Sequence, residues 1–562
     1  MTALDQQSDS ALAAMEWQAP GPGPWGQDRA HFPASITAML QAVYPAGFSR
    51  GFTETFADWG VLLDGITLTF VNGFPYSQAT PIDAPGPNGH RTPDEIGHEI
   101  GRRAGVAAAA FQNRIWQEVM QRWDTELKPE SIATHLAIAE VDLPSLDSDG
   151  LRAHLHRCVE HLDAMWYQHH RFNGMTLIPV GDFALHVAQW TGRPPMTVIA
   201  VFDGWSPVSS VLPPEMQPAI EALRTDPDAR ALLTGDTAAT DRYEELARRV
   251  PAVAEYVKSI GYRLAAGFDM TNPTIGERPE IVLGRLQAAL AHDPTTSRTR
   301  SDALAAEIRA DVPDEHLAEF DDLLTEARLV YRLRDERGLY SDSSAVGLIR
   351  LGLIELGHRM HRVGRINSPY DALDIGPTEI DALLDGDPSP TAEDLSARVA
   401  RRKAATAQGA PALLGPEPPP PPPLDQLPPP LARVMGAFGF VLDGVRGEAD
   451  GPAGDESTVI GIPGSAGVYE GSARIVRNFD ELWDLEDGEV LVTPATGESF
   501  NSFLHIVGAI VTDHGSFASH AAIMGREMGF PTVVGCVDAT RRITTGTRVR
   551  VDGAAGTVAI CA

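Results

Sequence analysis

The chain has 562 residues, of which 43% are hydrophobic and 22% are charged, and its formal net charge is −31. This length predicts about two to four domains, and the composition is typical of an ordinary globular protein. So strong a negative charge argues against nucleic acid or an anionic membrane as a partner.

Cysteine content and apolar runs indicate the compartment. Cys158, Cys536 and Cys561 are scattered without CxxC spacing, which excludes a disulfide framework and a cysteine zinc site. No apolar run approaches the ~20 residues needed to span a bilayer, and the N-terminus lacks the apolar core of a signal peptide. We therefore expect a cytoplasmic protein.

The N-terminal region is predicted to contain few regular elements. Residues 1–30, with the run Pro20-Gly21-Pro22-Gly23-Pro24, are expected to form a flexible arm. Residues 36–43 and 51–62 are predicted as two helices. Residues 66–71 alternate toward a strand that ends at Asn72-Gly73.

The pattern from 92 to 400 predicts mainly helices, so residues 31–410 are expected to form one mainly helical domain. The predicted helices span residues 93–127, 151–172, 219–223, 242–261, 280–292, 300–308, 314–335 and 344–363. The second of these carries five histidines: His154, His156, His161, His169 and His170. Their spacing does not place them all on one helical face, and HExxH is absent, so we expect no metal site in this chain.

A proline-rich linker and anchoring segment is predicted over residues 411–456. Residues 418–423 are six consecutive prolines, a run that forms extended polyproline II and acts as a semi-rigid spacer. The alternatives are a passive linker or a proline-rich ligand for another domain. Residues 431–445 are predicted to form a helix that anchors the far end.

The last part, residues 457–562, is predicted to be a layered α/β domain. Strands are expected over residues 471–476, 490–492, 509–511, 532–534 and 548–551, with helices over 500–507 and 520–528. The predicted fold is thus multidomain, with a mainly α-helical body and a C-terminal α/β domain.

One stretch of this last domain carries chemistry. A buried strand over 508–511 leads into a polar loop, Ser519 stands at a helix N-cap position, and His520 falls in the first turn of that helix. The free N–H groups of a helix start favour an anion and disfavour an imidazolium. A neutral imidazole is a nucleophile, so a phosphoryl group on it would lie among backbone donors. The alternative is a histidine that only caps or packs.

Residues 512–535 favour the interpretation of His520 as a nucleophile, because they resemble a known protein family. The shared motifs are Ser519-His520-Ala521-Ala522-Ile523, Arg526-Glu527, Gly529-Phe530-Pro531 and Val533-Val534-Gly535, with Gly461 to Val468, Gly471-Ser472-Ala473 and Val490 to Thr496 upstream. This region resembles the phosphohistidine swivelling domain of the PEP-utilising enzymes, a family that includes PEP synthase, pyruvate phosphate dikinase and rifampin phosphotransferase. The sequence departs from the common pattern at Ser516 and Phe517.

The resemblance implies that His520 carries a phosphoryl group, and that the proline-rich linker tethers a domain which visits two sites. We assign Thr512, Gly515 and Ser519 to the phosphoryl-binding loop. His514 is a rival acceptor, but it precedes the helix.

The donor site is missing from the sequence patterns. There is no GxxxxGK followed by Ser or Thr, no kinase glycine loop and no lysine-bearing hairpin of the ATP-grasp type, and we expect no barrel-like PEP domain after residues 457–562. We therefore expect ATP and Mg²⁺ to be bound by an ATP-grasp partner subunit, which loads His520.

The helical body is then expected to bind the acceptor. Parts of it weakly resemble the acceptor-binding region of rifampin phosphotransferase, and the arrangement is similar to one subunit of phenylphosphate synthase and of cresol-phosphorylating synthases. The resemblance implies a small phenolic substrate. The acceptor-site candidates are His358 as base, with Arg263, Asp269, Glu277, Arg334 and Arg359. Each could equally form a surface salt bridge.

Three hypotheses follow. The chain is a phosphotransferase subunit acting on a phenol, a subunit resembling rifampin phosphotransferase with a larger acceptor, or a non-catalytic phosphocarrier or regulator whose helical body binds a protein.

Overall fold

The computed structural model describes residues 15–561 except for 29–31, 33, 86–88, 210, 266, 292–294, 405–408, 447–456, 478, 498–499, 502 and 518. Residues 1–14 of the predicted arm and 447–456 of the predicted linker lie outside the described residues.

Helices dominate the chain up to residue 446. In chain order the α-helices of the described residues are α1 (Ala38–Trp59), α2 (Pro93–Gln112), α3 (Ile115–Arg122), α4 (Lys128–Ala139), α5 (Ser148–Arg171), α6 (Asn173–Thr191), α7 (Pro195–Val198), α8 (Gln217–Thr225), α9 (Pro227–Ala231), α10 (Ala239–Arg249), α11 (Pro251–Ile260), α12 (Pro279–Ala291), α13 (Thr295–Asp311), α14 (Leu317–Tyr331), α15 (Leu333–Arg337), α16 (Ser343–Arg362), α17 (Glu379–Asp385), α18 (Ala392–Ala404), α19 (Pro429–Arg446), α20 (His520–Met528) and α21 (Ala539–Arg542). No helix in this part of the chain is long and apolar enough to cross a bilayer.

Strands are concentrated near the two ends of the chain. They are β1 (Trp25–Gln27), β2 (Leu63–Val71), β3 (Phe74–Pro81), β4 (Leu413–Leu414), β5 (Thr458–Ile460), β6 (Ile462–Ser465), β7 (Val468–Ile475), β8 (Val490–Thr493), β9 (Ala509–Thr512), β10 (Thr532–Val534), β11 (Arg548–Asp552) and β12 (Thr557–Ile560). Short 3₁₀ segments lie at Leu143–Ser145, Ile199–Phe202, Pro207–Ser209, Pro214–Met216, Ile275–Glu277, Asp314–His316, Pro369–Asp374, Leu424–Gln426 and Phe479–Asp484, and π-helical turns at Trp123–Leu127 and Gly338–Asp342.

The chain divides into two compact units, each assembled from separate stretches. The first contains Met1–Met175, Tyr262–Pro273 and Arg337–Met435, and the second contains Thr176–Gly261, Thr274–Glu336 and Gly436–Ala562. The predicted helical domain of residues 31–410 is therefore shared between the two units. No Pro/Gly-rich run or composition shift marks the crossing points, so the sequence gives no signal for this division.

In the first unit, α1 packs along α5. The two helices predicted over 36–62 are wrong, because α1 is one continuous helix that contains Pro45. A Cβ atom on Gly47 would lie 2.7 Å from the backbone nitrogen of Tyr167, and one on Gly51 would lie 2.8 Å from that of Arg171. These two glycines, one turn apart, therefore permit close contact between the helices rather than breaking α1.

The sheet of the first unit has the strand order β2-β3-β1-β4. Asn72 (φ 54°) and Gly73 (φ 82°) form the tight turn between β2 and β3, as the Asn-Gly pair predicts. The flexible-arm prediction is wrong for residues 25–27, because β1 pairs with both β3 and β4 and Trp25 is buried. Pro418–Pro423 are exposed and belong to no helix or strand, and the predicted helix after them is confirmed as α19.

The C-terminal part of the second unit is built on a sheet with the order β5-β12-β11-β7-β8-β9-β10-β6, in which β7, β8, β9 and β10 are parallel neighbours. Its core consists of the buried apolar side chains of these strands. The sequence thus correctly predicts a mainly helical part followed by a sheet-containing domain. The α-helix predicted over 500–507 is wrong, since its described residues form a short 3₁₀ segment at 500–501 and turns at 503–506. The edge strand β6 was missed because Pro463 and Gly464 disfavour a strand, although an edge tolerates both.

One glycine fixes how α20 lies on this sheet. A Cβ on Gly525 would lie 2.1 Å from Thr532 Oγ1 on β10 and 3.0 Å from Ser465 Cβ on β6. The helix that begins at His520 can therefore lie against the two strands only because residue 525 has no side chain.

We predict that Gly51→Ala lowers the midpoint of thermal unfolding, because the added methyl group is forced against the backbone of α5 and overpacking costs roughly 1–3 kcal/mol. The matched control is Gly105→Ala in α2, where an added Cβ meets nothing within 4 Å. At that position alanine has a better helix propensity than glycine, so Gly105→Ala should stabilise the folded protein by up to about 1 kcal/mol. Equal stabilisation by both changes would contradict the close packing of α1 on α5.

Candidate functional site

The loop that precedes α20 is fixed by its neighbours. Thr512 and Asp513 at the end of β9 are fully buried. The Asp513 carboxylate accepts hydrogen bonds from the Thr540 backbone N–H, at 2.9 Å, and from the Thr540 hydroxyl. Thr512 Oγ1 donates to the carbonyl of His514 at 2.7 Å. Gly515 has φ 116°, a conformation that favours glycine, and an added Cβ would lie 2.9 Å from Ser519.

His520 is the first residue of α20, as predicted. Ser519 occupies the N-cap position with extended backbone angles (φ −71°, ψ 158°), but its side chain makes no capping hydrogen bond. Its hydroxyl oxygen is buried without a hydrogen-bond partner. The start of α20 therefore presents both free backbone donors and a free hydroxyl.

The two ring nitrogens of His520 have different surroundings. Nδ1 lies 2.9 Å from Thr496 Oγ1, whereas Nε2 is buried without a hydrogen-bond partner. When the Thr496 hydroxyl accepts a hydrogen bond from Nδ1–H, the lone pair of the neutral ring is on Nε2. In that tautomer Nε2 is the nucleophilic atom.

Burial lowers the pKa of His520 to about 4. The charge of Asp335 opposes this shift and that of Arg334 adds to it. Arg334 Nε also donates to Asp335 Oδ1 at 2.9 Å, so the two side chains form an ion pair that acts on the histidine. The imidazole is neutral at pH 7 and available for nucleophilic attack.

A buried tyrosine belongs to the same group of side chains. The Tyr331 hydroxyl has no hydrogen-bond partner, and burial raises its pKa well above the usual value. Its ring stacks on Phe202 with centroids 5.0 Å apart, and the Arg334 guanidinium lies 5.2 Å from the ring centre. Tyr331 therefore adjoins Arg334, which together with Asp335 acts on His520.

The far end of α20 is held by a different set of contacts. Arg526 forms a double hydrogen-bonded ion pair with Asp203, at 2.7 and 3.1 Å. The Glu527 carboxyl accepts the Gly204 N–H at 3.2 Å. Burial, and after it the charge of Asp203, raise the pKa of Glu527 to about 8. A protonated Glu527 can therefore lie near Asp203 without charge repulsion.

The acceptor-site candidates are distributed over both units. Arg334, in the second unit, acts electrostatically on His520. Glu277, also in the second unit, accepts the Thr274 N–H at 2.8 Å in a capping box, which is a structural role.

The other candidates belong to the first unit. Arg263 is buried, and its guanidinium lies 5.0 Å from the centre of the Tyr340 ring. Asp269 accepts hydrogen bonds from Thr37, at 2.9 and 3.0 Å, and so fixes the start of α1. His358 is exposed, and Arg359 pairs with Glu355 at 2.8 Å.

The sequence did not identify Thr496, Asp335 or Asp203 as site residues. Thr496 follows β8, the parallel neighbour of β9, and the carboxyl ends of parallel strands meet at one edge of a sheet, so its position could have been predicted. Asp335 is adjacent to the candidate Arg334. Asp203 carries no such signal, since it lies 323 residues before Arg526.

Among the described residues, no group of three or more His, Cys, Asp and Glu side chains could hold a metal ion. The expectation that this chain has no metal site of its own remains a prediction.

Two stretches of the chain match known protein families. Residues 485–556 match the PEP-utilising enzyme mobile domain, and residues 183–336 match the rifampicin phosphotransferase fourth domain. The first contains His520 and Thr496, and the second contains Asp203, Arg334 and Asp335. The resemblance to the PEP-utilising enzymes and rifampin phosphotransferase is thus confirmed for these stretches.

Several characterised proteins are similar to parts of the chain. Chondramide synthase of Chondromyces crocatus is 24% identical over 565 residues, which cover 95% of this chain and 14% of that protein. Rifampicin phosphotransferase of Bacillus subtilis is 38% identical over 136 residues, 24% of this chain and 15% of that protein. Rifampicin phosphotransferase of a Streptomyces species is 26% identical over 392 residues, 66% and 42% of the two chains. The chain spans less than half the length of each of these relatives.

We predict that His520 stays neutral well below the usual histidine range. Its pKa is lowered to about 4, so the ring should gain a proton only as the pH falls toward that value. NMR of histidine-labelled protein, with the His520 signal identified by its loss in His520→Gln, should show an unprotonated ring at about pH 5. A midpoint near the ordinary value of about 6.5 would contradict the burial of the ring.

A second prediction concerns Thr496. Thr496→Val keeps the side-chain shape but removes the hydrogen bond to Nδ1, so phosphorylation of His520 should slow by roughly five- to tenfold. Thr496→Ser retains a hydroxyl, so its rate of His520 phosphorylation should remain close to that of the unchanged chain. The rate is measured as phosphohistidine formed by a small donor, phosphoramidate. Equal rates for the valine and serine variants would show that the hydroxyl does not orient the ring.

Proposed function

We propose that this chain is the phosphohistidine component of an ATP-dependent phosphotransferase. In this proposal His520 receives a phosphoryl group on Nε2 and passes it to the hydroxyl of a small phenol such as phenol or cresol, giving an aryl phosphate. The observation that carries it is the neutral imidazole at the start of α20, in which Nδ1 lies at Thr496 and Nε2 is buried without a hydrogen-bond partner.

The loading half-reaction follows from this geometry. The Nε2 lone pair attacks the phosphorus of the donor, an N–P bond forms, and the P–O bond to the leaving group breaks. Backbone N–H groups at the start of α20 and the Ser519 hydroxyl are suited to bind the phosphoryl oxygens. The proposed donor is ATP with Mg²⁺ on an ATP-grasp partner, and the proposed compartment is the cytoplasm, where ATP is available.

The transfer half-reaction needs a base and a cation near the phosphohistidine. A phenol has a pKa near 10, so removal of its proton assists attack on phosphorus. We assign Asp335 as the proton acceptor and Arg334 as the cation that attracts the phosphoryl oxygens, because both act electrostatically on His520. The O–P bond forms as the N–P bond breaks, and Nε2 recovers its lone pair.

A second candidate function has a specific observation in its favour. Residues 183–336 match a domain of rifampicin phosphotransferase, and the chain is similar to enzymes of that name. The acceptor would then be a larger hydroxyl compound of the rifampicin type, with the same chemistry at His520. A carrier whose acceptor is a protein is the third possibility.

We expect that the chain, phosphorylated by prolonged incubation with phosphoramidate, transfers its phosphoryl group to phenol or p-cresol. Aryl phosphate is detected by ³¹P NMR and mass spectrometry, with rifampicin as a parallel acceptor. The His520→Gln variant should form neither phosphohistidine nor product. The same panel, incubated with ATP, Mg²⁺ and a candidate ATP-grasp protein, tests the donor.

The matched control is His514→Gln, which changes the rival histidine of the same loop and should leave transfer unchanged. Product from the His520→Gln variant would contradict the central assignment. Transfer to rifampicin but not to the phenols would favour the rifampicin-type phosphotransferase. If the phosphohistidine transfers to none of these acceptors, only the carrier with a protein acceptor remains.

A further inference from the structure

A stretch of exposed residues in the first unit contains the six consecutive prolines. Every residue from 415 to 426 is exposed, and we call this stretch, which includes Pro418–Pro423, the proline segment. It follows β4 and ends shortly before α19. The segment and the chain on either side of it, Arg337–Met435, belong to the first unit. The prolines therefore begin and end within one compact unit.

The N-terminal end of the proline segment is fixed by β4. Leu414 is buried and pairs with Trp25 of β1. Gly415 has φ 92°, and a Cβ at this position would lie 2.3 Å from the carbonyl oxygen of Gly23. The chain can therefore turn away from the sheet at residue 415 because glycine has no side chain.

The C-terminal end is fixed by the first turns of α19. Leu431 and Val434 are fully buried, and the Leu431 N–H donates to the Pro428 carbonyl at 2.9 Å. The last of the six prolines, Pro423, has φ −58° and ψ 133°, which is close to polyproline II geometry. Each earlier proline has a φ fixed by its ring and precedes another proline, which disfavours the α region. The six prolines are thus restricted to an extended conformation.

An exposed, extended run of prolines has the chemistry of a protein ligand. Polyproline II has no internal hydrogen bonds, so its carbonyl groups can accept hydrogen bonds from a partner, and its rings pack into aromatic-lined grooves. Leu424, which follows the prolines, is 45% exposed and adds an apolar side chain. Because both ends of the segment are fixed, binding would order little additional chain, and its entropic cost is small.

The charges beside the prolines indicate the kind of groove. Glu417 precedes the prolines and Asp425 follows Leu424, and both acidic residues are exposed. Residues 411–432 contain no Lys or Arg. A groove with carboxylates beside its aromatic rings would repel this segment, whereas a groove with Lys or Arg at those positions would attract it.

We propose that the proline segment is a docking site for a partner protein, which binds it in an aromatic-lined groove flanked by basic residues. This inference goes beyond the proposed function, since it involves neither His520 nor the phosphoryl acceptor.

The test uses the full chain and a WW domain, a small protein module with an aromatic groove for proline-rich segments. The WW domain is made in two forms, with lysines or with glutamates beside the same groove, and fluorescence anisotropy of the labelled domain gives the affinity. At low salt the lysine form should bind roughly tenfold more tightly than the glutamate form, because two exposed attractions become two repulsions. Replacing Pro418–Pro423 by alternating glycine and serine, which form a flexible coil, should abolish binding.

An exchange of the flanking charges tests the same point without changing the prolines. In the double variant Glu417→Arg, Asp425→Arg the preference between the two WW forms should reverse. The matched control is Asp83→Arg, Glu393→Arg, which changes the net charge equally at two other exposed acidic residues of the first unit. This control should still prefer the lysine form.

Binding that requires the prolines, with a preference that follows the charges at 417 and 425, supports the docking site. The proposal is overturned if the lysine form does not bind, or if the glycine–serine variant binds equally well. It is also overturned if the charge exchange leaves the preference unchanged, or if the matched control reverses it. Phosphorylation of His520 is not measured, so failure of this inference is distinct from failure of the proposed function.

Discussion

The site depends on one constraint, which is that the half-buried imidazole of His520 is uncharged and keeps Nε2 out of contact with solvent. Water would compete for both ring nitrogens, and a carboxylate in direct contact would favour the protonated form. Here burial dominates, Asp335 and Arg334 act in opposite directions, and the Thr496 hydroxyl lies 2.9 Å from Nδ1. A neutral ring with one oriented nitrogen is what phosphoryl capture requires. The surrounding contacts keep water away from Nε2 and fix the orientation of the ring.

The sequence predicted the local part of this site well. A strand, a glycine-containing loop, an N-cap serine and a following histidine form a pattern with local causes, so His520 and the start of α20 were found at the correct positions. The strands of the C-terminal sheet were found for the same reason, because buried parallel strands are nearly continuous apolar runs. Ser519 shows the limit of such rules. It stands at the N-cap position, yet its hydroxyl makes no capping bond.

Contacts between distant residues were not predictable from the same patterns. Asp203 and Arg526 are each ordinary surface residue types, and only the folded chain brings them together. The glycines of α1 suggest a helix break in the sequence, but they mark the contact with α5, which depends on another element. Most acceptor candidates proved to have structural partners, as Asp269 has in Thr37 and Arg359 has in Glu355. A charged residue in a helical pattern predicts a polar contact, but not which partner it finds.

The absence of a side chain at Gly525 determines what can move. Because α20 lies so close to β10 and β6, it cannot tilt, slide or rotate on its sheet without steric overlap. Helix and strands therefore form one rigid body. The position of the His520 ring relative to the sheet is therefore set by this close contact between helix and strands.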